Sequence, residues 1–396
     1  MPNTTDIAII AGARTPMGRY CGKLRDFTAQ ELAAVASKEA IKRSGVDPKE
    51  FDHAVFGNAQ QTSGDSIYGA RHVALKAGLP IEVPALTVNR LCGSGMQSIV
   101  TGAQLIQLGE AKTVLAGGME AMSQAPHVIR GARWGFGLGE GKMEDSLMVA
   151  LLDTYCGLYM AQTAEEYGNQ QGITREQMDE FSLRSQKLAA EAQQACRLGE
   201  EITPVPLVNR KGQPTGELFE KDDHLRPETT VEGLAKLKPV FGKNVTAGNA
   251  SGIVDGGAAV VLTSIEDTEK RNLKPLGRIV SWGIAGVDPR IMGSGPVPAT
   301  RAALKKAGMK LEDIDLIEVN EAFAAQYLAV EKELGLDRNK VNVNGGAIAL
   351  GHPLGATGTR LVITLLYELR RRKKKYGLAT ACIGGGQGIA VIVESV

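Results

Sequence analysis

The strongest constraint on this chain is an internal repeat. Residues 40–57, AIKRSGVDPKEFDHAVFG, and residues 303–320, ALKKAGMKLEDIDLIEVN, share one layout. Each reads as the end of a basic helix, a glycine stop (Gly45 or Gly308), an acidic turn and an apolar strand. A second pair follows in the same order. VNRLCGSGMQSI at 88–99 and VNVNGGAIALGHPLGATG at 341–358 are each a strand end, a glycine-rich turn and a helix start. The third pair, KTVLAGGME at 112–120 and LATACIGGGQ at 378–387, consists of strands that run into glycines. Three matches in one order describe a duplicated βαβ-rich unit better than two unrelated domains of similar class. Strands such as Ile7–Ala11, Val55–Phe56 and Val114–Ala116 alternate with helical segments, so each half should be an α/β layer with its sheet buried beneath helices.

The repeat sets the domain organisation. The first half spans residues 1–122 plus 251–272, the second spans 273–396, and residues 123–250 interrupt the pattern. The interruption carries scattered glycines and prolines, few strand signals, and one clear helix from Thr174 to about Leu198, opened by Thr174-x-x-Gln177. A stretch this long exceeds an ordinary connection and suits a lid or binding subdomain. The pattern resumes with NASGIVDGGAAVVL at 249–262. Within the halves, Thr28 and Glu31 form a capping box for a helix that ends near Gly45. Met96, Ile99, Val100, Ala103 and Ile106 form one stripe of the helix after Cys92, which is packing.

Composition narrows the function classes. Lysine and arginine total 45 against 44 acidic residues, a net charge of +1, which gives no reason to expect a nucleic acid or anionic membrane partner. The one long basic run, Arg370 to Lys375, closes a helix and reads as a solvated end that complements the helix dipole. No apolar run reaches the ~18 residues of a membrane span. The N-terminus lacks a secretory pattern, and VIVESV at the C-terminus matches no retention or peroxisomal address, so cytoplasm is expected. Five cysteines do not make a disulfide scaffold, and without CxxC spacing no metal site is expected. Glycine, at 48 of 396 residues, is well above the usual share of about 7% and points to tight turns and close backbone approaches.

Four positions carry candidate chemistry. Cys92 lies where a strand meets a glycine-rich helix start, so backbone N–H groups and the helix dipole should lower its pKa and supply a nucleophile. Cys21, Cys156 and Cys196 read instead as buried structural cysteines. His352, between Gly351 and Pro353, sits in the turn that the repeat sets opposite Cys92 and can accept a thiol proton. His53, His72 and His224 read as solvated. Cys382 ends a strand before Gly384, Gly385 and Gly386, which could serve as a tuned acid or base beside an oxyanion hole. Asn320, in VNEAFA, is either a turn or N-cap residue or an amide that positions a water.

Together these positions resemble the thiolases, most closely the biosynthetic type, acetyl-CoA C-acetyltransferase. The resemblance runs from IIAGARTPMG at 9–18 through NRLCGSGMQS at 89–98, NEAFA at 320–324 and GGAIALGHPLGATG at 345–358 to CIGGGQG at 382–388. It implies a layered αβαβα fold with an inserted loop subdomain that binds coenzyme A, and a homotetramer built as a dimer of dimers. It also implies the reversible condensation of two acetyl-CoA molecules to acetoacetyl-CoA and CoA, with coenzyme A thioesters as substrates and no further cofactor. Cys92 would carry the acetyl group, His352 would accept its proton, and Cys382 would take a proton from the second acetyl-CoA. His352 and a water on Asn320 would hold one thioester oxygen, and the N–H groups of Cys92 and Gly384 the other. By the same resemblance Ser251, Ala247 and Phe241 line the pantetheine tunnel and Arg226 lies near the nucleotide. Leu151 and Met160 surround the acyl and pantetheine part, with Ala322 and Phe323 also in contact.

Tyr159 departs from the pattern: the biosynthetic type usually has histidine there, and many degradative thiolases have proline. FGKNVTAG at 241–248 is also shorter than usual. The alternatives are a degradative 3-ketoacyl-CoA thiolase of broader chain length and a non-catalytic acyl-CoA-binding paralogue. A decarboxylating ketoacyl synthase of the same fold is disfavoured, because Cys382 stands where that class needs a second basic residue.

Overall fold

The structure, a computed structural model, describes residues 6–209 and 212–396. Met1–Thr5, part of the N-terminus read above as free of a leader, lie outside the described residues. In chain order the main strands are β1 (Ile7–Arg14), β2 (His53–Asn58), β3 (Ala85–Val88), β4 (Val114–Ala121) and β5 (Val254–Ser264). They are followed by β6 (Gly277–Gly286), β7 (Leu316–Val319), β8 (Tyr376–Ile383) and β9 (Gln387–Ser395). Their spatial order is β7-β8-β9-β6-β1-β5-β4-β2-β3, with a short strand, Gly18–Arg19, added against β5.

Outward from the centre, β1-β5-β4-β2 in one direction matches β6-β9-β8-β7 in the other. The strand senses match as well. β5 runs antiparallel to β1 and β4 while β2 is parallel to β4. β9 runs antiparallel to β6 and β8 while β7 is parallel to β8. Among the described residues, the halves join edge to edge only where Ile7–Ile9 pairs with Gly277–Ile279. β5, supplied after the interruption, completes the first half by pairing with both β1 and β4.

Side chains of a strand alternate between faces, and each face here meets its own helices. Ala258, Val260 and Leu262 of β5 face the centre with Ile389, Val391 and Val393 of β9. Between them lie α3 (Ser94–Gln107) and α8 (Leu354–Arg372), contributing Met96, Ile99 and Val100, and Leu361, Val362 and Leu365. Ala259 and Val261 turn the other way, onto α1 (Ala29–Ser44) and α2 (Gly69–Ala77). Ala390 and Ile392 turn onto α6 (Pro296–Ala307) and α7 (Ala324–Leu334). The result is five layers, α-β-α-β-α. Helix ends follow local chemistry: Thr28 and Glu31 form the capping box of α1, and Gly45 (φ 69°) and Gly308 (φ 66°) end α1 and α6 in the left-handed region.

The starts of α3 and α8 meet backbone to backbone. A Cβ on Gly95 would strike the backbone nitrogen of Thr359, and one on Gly358 would strike that of Met96. This reciprocal contact aligns Leu91-Cys92-Gly93-Ser94-Gly95 with Leu354-Gly355-Ala356-Thr357-Gly358, and only glycine allows it. The copies differ just before. The second has a longer connection, from Val341 to Leu354 against Val88 to Leu91, and this extra chain holds the short helix Ala347–Leu350 and His352.

The interruption contains more strand than its sequence suggested. Three small hairpins (His127–Ile129 with Met143–Asp145, Leu152–Asp153 with Leu158–Tyr159, Val205–Val208 with Pro214–Phe219) accompany α4 (Met160–Gln170) and α5 (Arg175–Gln194). Cys21 and Cys196, read as buried, are exposed, and Cys156 is half-buried. The Arg370–Lys375 run closes α8 and pairs with Glu368, Glu200, Asp315 and Glu394.

Arg14 ties the interruption to the body. Fully buried, it donates from Nε to Glu201 at 2.6 Å and forks onto Asp222 at 2.7 and 2.9 Å. Both acids are buried as well, so removing the guanidinium strands two desolvated charges. Arg14→Leu is expected to lose about 3–5 kcal/mol of stability in denaturant unfolding; a loss below about 1 kcal/mol would contradict this role.

Candidate active site

The turn after β3 is built by side chains folding back on backbone. Asn89 Oδ1 accepts from Leu91 N at 2.9 Å, and Ser94 Oγ accepts from Arg90 N at 2.9 Å while donating to the Leu91 carbonyl at 2.7 Å. Leu91 is held at φ 45°, a costly conformation for a residue with a side chain. Cys92 follows, in a single 3₁₀ turn that runs straight into α3. The backbone N–H groups of Gly384 and of Cys92 itself favour the charged form of its sulfur.

His352 is set by the second copy's longer connection. Its N–H donates to the Gly252 carbonyl at 2.9 Å, and its Nδ1 lies 2.6 Å from Thr357 Oγ1. The Thr357 hydroxyl donates to the Pro353 carbonyl at 2.9 Å. Its one hydrogen being used there, the Thr357 oxygen accepts from His352 Nδ1–H, which leaves Nε2 unprotonated. Nε2 accepts from Asn320 Nδ2 at 3.2 Å. Asn320 is fully buried, its N–H donates to the Thr380 carbonyl at 2.9 Å, and its Oδ1 has no hydrogen-bond partner among the described residues. It caps no helix, since α7 begins at Ala324.

Cys382 lies one residue before the end of β8, opposite Gly388 of β9, packed with Met292, Ala322, Met160 and Phe323. The chain then leaves the sheet through Gly385 and Gly386 at φ 78° and 79°.

Cys92, His352, Cys382 and Gly384 open into one cavity of about 860 Å³. All nine residues read above as coenzyme contacts line it: Ser251, Arg226, Ala247, Phe241, Leu151, Met160, Tyr159, Ala322 and Phe323. Asn320 stands behind His352 and does not. Tyr159 stacks flat on Phe241, with ring centroids 4.2 Å apart and planes within 6°. The sequence reading missed Tyr20, Met122, Met148, Met292 and His224, which also line the cavity. His224, read as solvated, is half-buried with Nδ1 3.0 Å from the Ala349 carbonyl, and burial lowers its pKa. These residues come from aperiodic segments, and nothing local distinguishes them from ordinary loop residues.

Electrostatics overturn one expectation. Burial pushes the Cys92 thiol up to about 11, with the Glu120 charge adding to the rise and outweighing the two N–H donors. The helix start therefore does not produce a thiolate at rest. Cys382 is also raised, by burial and then by the charge of Cys92. His352 is pushed down to about 3 by burial and by Arg360. The resting site is two thiols beside a neutral imidazole whose unprotonated nitrogen is Nε2, held by Asn320.

Comparison with known proteins places the chain in a family. A thiolase N-terminal domain matches residues 7–266 and a thiolase C-terminal domain matches residues 273–395. The chain belongs to the thiolase family. It is 53% identical over 392 residues to human mitochondrial 3-ketoacyl-CoA thiolase, covering 98% of each chain. It is 50% identical over 389 residues to an acetyl-CoA acetyltransferase of Pseudomonas aeruginosa, again covering 98% of each. The crystal structure of the Bacillus anthracis acetyl-CoA acetyltransferase superposes with a TM-score of 0.96 at 46% identity, covering 99% of both chains. This thiolase is thus an acyltransferase with the five-layer thiolase fold, and its relatives bear both names at nearly equal identity. Among the described residues no helix is long and apolar enough to cross a membrane, and no group of three or more His, Cys, Asp or Glu is placed to hold a metal.

The raised thiol makes a prediction for alkylation. Well below its pKa the thiolate fraction rises about tenfold per pH unit. The rate of Cys92 alkylation by iodoacetamide, followed by peptide mapping, should therefore climb steadily from pH 6 to pH 9. A plateau near neutrality would instead indicate a thiolate–imidazolium pair.

Proposed function

We propose that this thiolase condenses two acetyl-CoA molecules into acetoacetyl-CoA and CoA, reversibly, through an acetyl-Cys92 intermediate. The observation that carries the reading is the opening of two thiols and an unprotonated imidazole nitrogen into one cavity. In the cleavage direction His352 Nε2 takes the Cys92 proton as the sulfur attacks the 3-keto carbonyl. The carbon–carbon bond breaks and the departing acetyl-CoA carbanion takes the proton of Cys382. Free CoA then gives its thiol proton to the Cys382 thiolate and attacks the acyl-Cys92. The Cys92 sulfur leaves and recovers its proton from His352. Condensation is the reverse, with Cys382 removing the α-proton. An α-carbon beside a thioester is a weak acid, so the enolate charge needs donors already in place. The N–H groups of Cys92 and Gly384 supply one set, and His352 with Asn320 the other. Arg226, exposed at the cavity mouth, suits the phosphates of the nucleotide end.

One observation favours a broader substrate range. Met122, Met148, Met160 and Met292 line the cavity, and flexible thioethers accommodate acyl groups of different length. The homotetramer is part of the same proposal. The edge strand β3 carries exposed Leu86, and the hairpin at 127–145 exposes Trp134 and Leu138, which suits burial between chains.

Incubation with acetyl-CoA should acetylate Cys92, as read by intact mass and peptide mapping; no adduct would favour a binding paralogue. Cys382→Ala should retain some Cys92 acetylation while slowing carbon–carbon bond formation about 10²–10⁴-fold. Condensation at the normal rate would remove Cys382 from the base role. A series of 3-ketoacyl-CoA substrates separates the two ranges. A kcat/KM that falls beyond four acyl carbons supports acetoacetyl-CoA, and a rise of about tenfold for two added methylenes supports the longer class.

A further inference from the structure

We infer that Glu120, which does not reach the cavity, is a positioning residue whose single carboxylate holds the Cys92 turn and the His352 turn in register. The inference rests on the roles proposed above for Cys92 and His352. Glu120 lies near the end of β4 and is fully buried. Its Oε1 accepts from Asn58 Nδ2 at 2.8 Å and Gln60 N at 3.0 Å, and its Oε2 from Ala59 N at 3.1 Å and Gly355 N at 2.8 Å. Four N–H donors, rather than a cation, hold the charge.

The two donors on Oε2, Gly355 and Ala59, lead to the two reacting groups. Gly355 is in the first turn of α8, where its N–H has no partner within the helix, and it follows His352 by three residues. A carboxylate there also complements the helix dipole. On the other side, the Ala59 carbonyl accepts from Asn89 Nδ2 at 3.1 Å. Asn89 Oδ1 in turn holds Leu91 N at 2.9 Å, fixing the residue at φ 45° that immediately precedes Cys92. The two paths share no other charged group. The local packing leaves little slack, because a Cβ on Gly355 would strike the carbonyls of Met119 and Gly57. Burial pushes Glu120 up to about 7 against the pull of its backbone donors.

Glu120→Gln tests this with little change of shape. An amide offers one acceptor oxygen, so either the Ala59–Gly355 pair or the Asn58–Gln60 pair faces an NH₂ group. The variant should show kcat for acetoacetyl-CoA thiolysis reduced at least tenfold. KM for CoA should stay within twofold, and the rate of Cys92 acetylation should fall with kcat. Asn89→Ala cuts only the path to Cys92 and should also slow acetylation tenfold at unchanged KM. The double variant should be no slower than the slower single, since the path cut by Asn89→Ala is one of the two that Glu120 holds. If Glu120→Gln does not fold, Asn89→Ala alone decides. Wild-type acetylation in that variant, wild-type kcat in Glu120→Gln, or losses that simply multiply in the double variant would each overturn the inference. Absence of acetyl-Cys92 in the unmodified protein would instead overturn the functional reading on which it rests.

Discussion

The backbone contact between the starts of α3 and α8 is the constraint on which the rest of the molecule depends. Gly95 lies against Thr359 and Gly358 against Met96, so two helix N-termini from two copies of one unit meet at the centre of the five layers. Thr359 Oγ1 donates across the junction to the Gly95 carbonyl at 3.0 Å. Any side chain at these glycines would drive the helices apart, and with them the turns that precede each helix. Duplication explains why two such starts exist, and divergence explains why they differ. Cys92 comes from the first copy. Asn320, His352 and Cys382 come from the second, His352 on chain that the first copy lacks.

Burial at this junction sets the chemistry. Cys382 and His352 are buried and Cys92 is half-buried, and desolvation favours the neutral form of each, pushing the Cys92 thiol up to about 11. Charge then appears only in the reacting state, where prearranged N–H donors meet it without solvent reorganisation. The cavity's enclosure depends on the interruption. Tyr159, Met160, Phe241 and Ser251 come from it or from its return, and they form much of the cavity wall. Arg14, with Glu201 and Asp222, fastens that wall to the first strand of the body.

What could be read from the sequence was what is local or repeated. The glycine stops at Gly45 and Gly308, the Thr28–Glu31 and Thr174–Gln177 boxes and the Met96–Ile106 stripe depend on neighbours within a turn or two, and they fold as their spacing implies. The repeat gave the similarity of the halves, but not the sheet order or the edge contact at Ile7–Ile9, which depend on how the copies pack. The direction of the Cys92 shift was not legible, because the local helix start argues one way and the surrounding protein, assembled from distant segments, argues the other. His224 shows the same limit: its partner, the Ala349 carbonyl, is remote in sequence. The exposed Cys21 and Cys196 sit at φ 54° and 55° in turns whose direction no periodicity announces.

That two sulfurs from different copies share one cavity can be measured directly. A trivalent arsenical such as phenylarsine oxide bridges two thiols only when they lie close together. Treated protein, digested and mapped by mass spectrometry, should show one arsenic joining the peptide that contains Cys92 to the peptide that contains Cys382. Arsenic found only on Cys21, Cys156 or Cys196, with Cys92 and Cys382 never joined, would contradict the account.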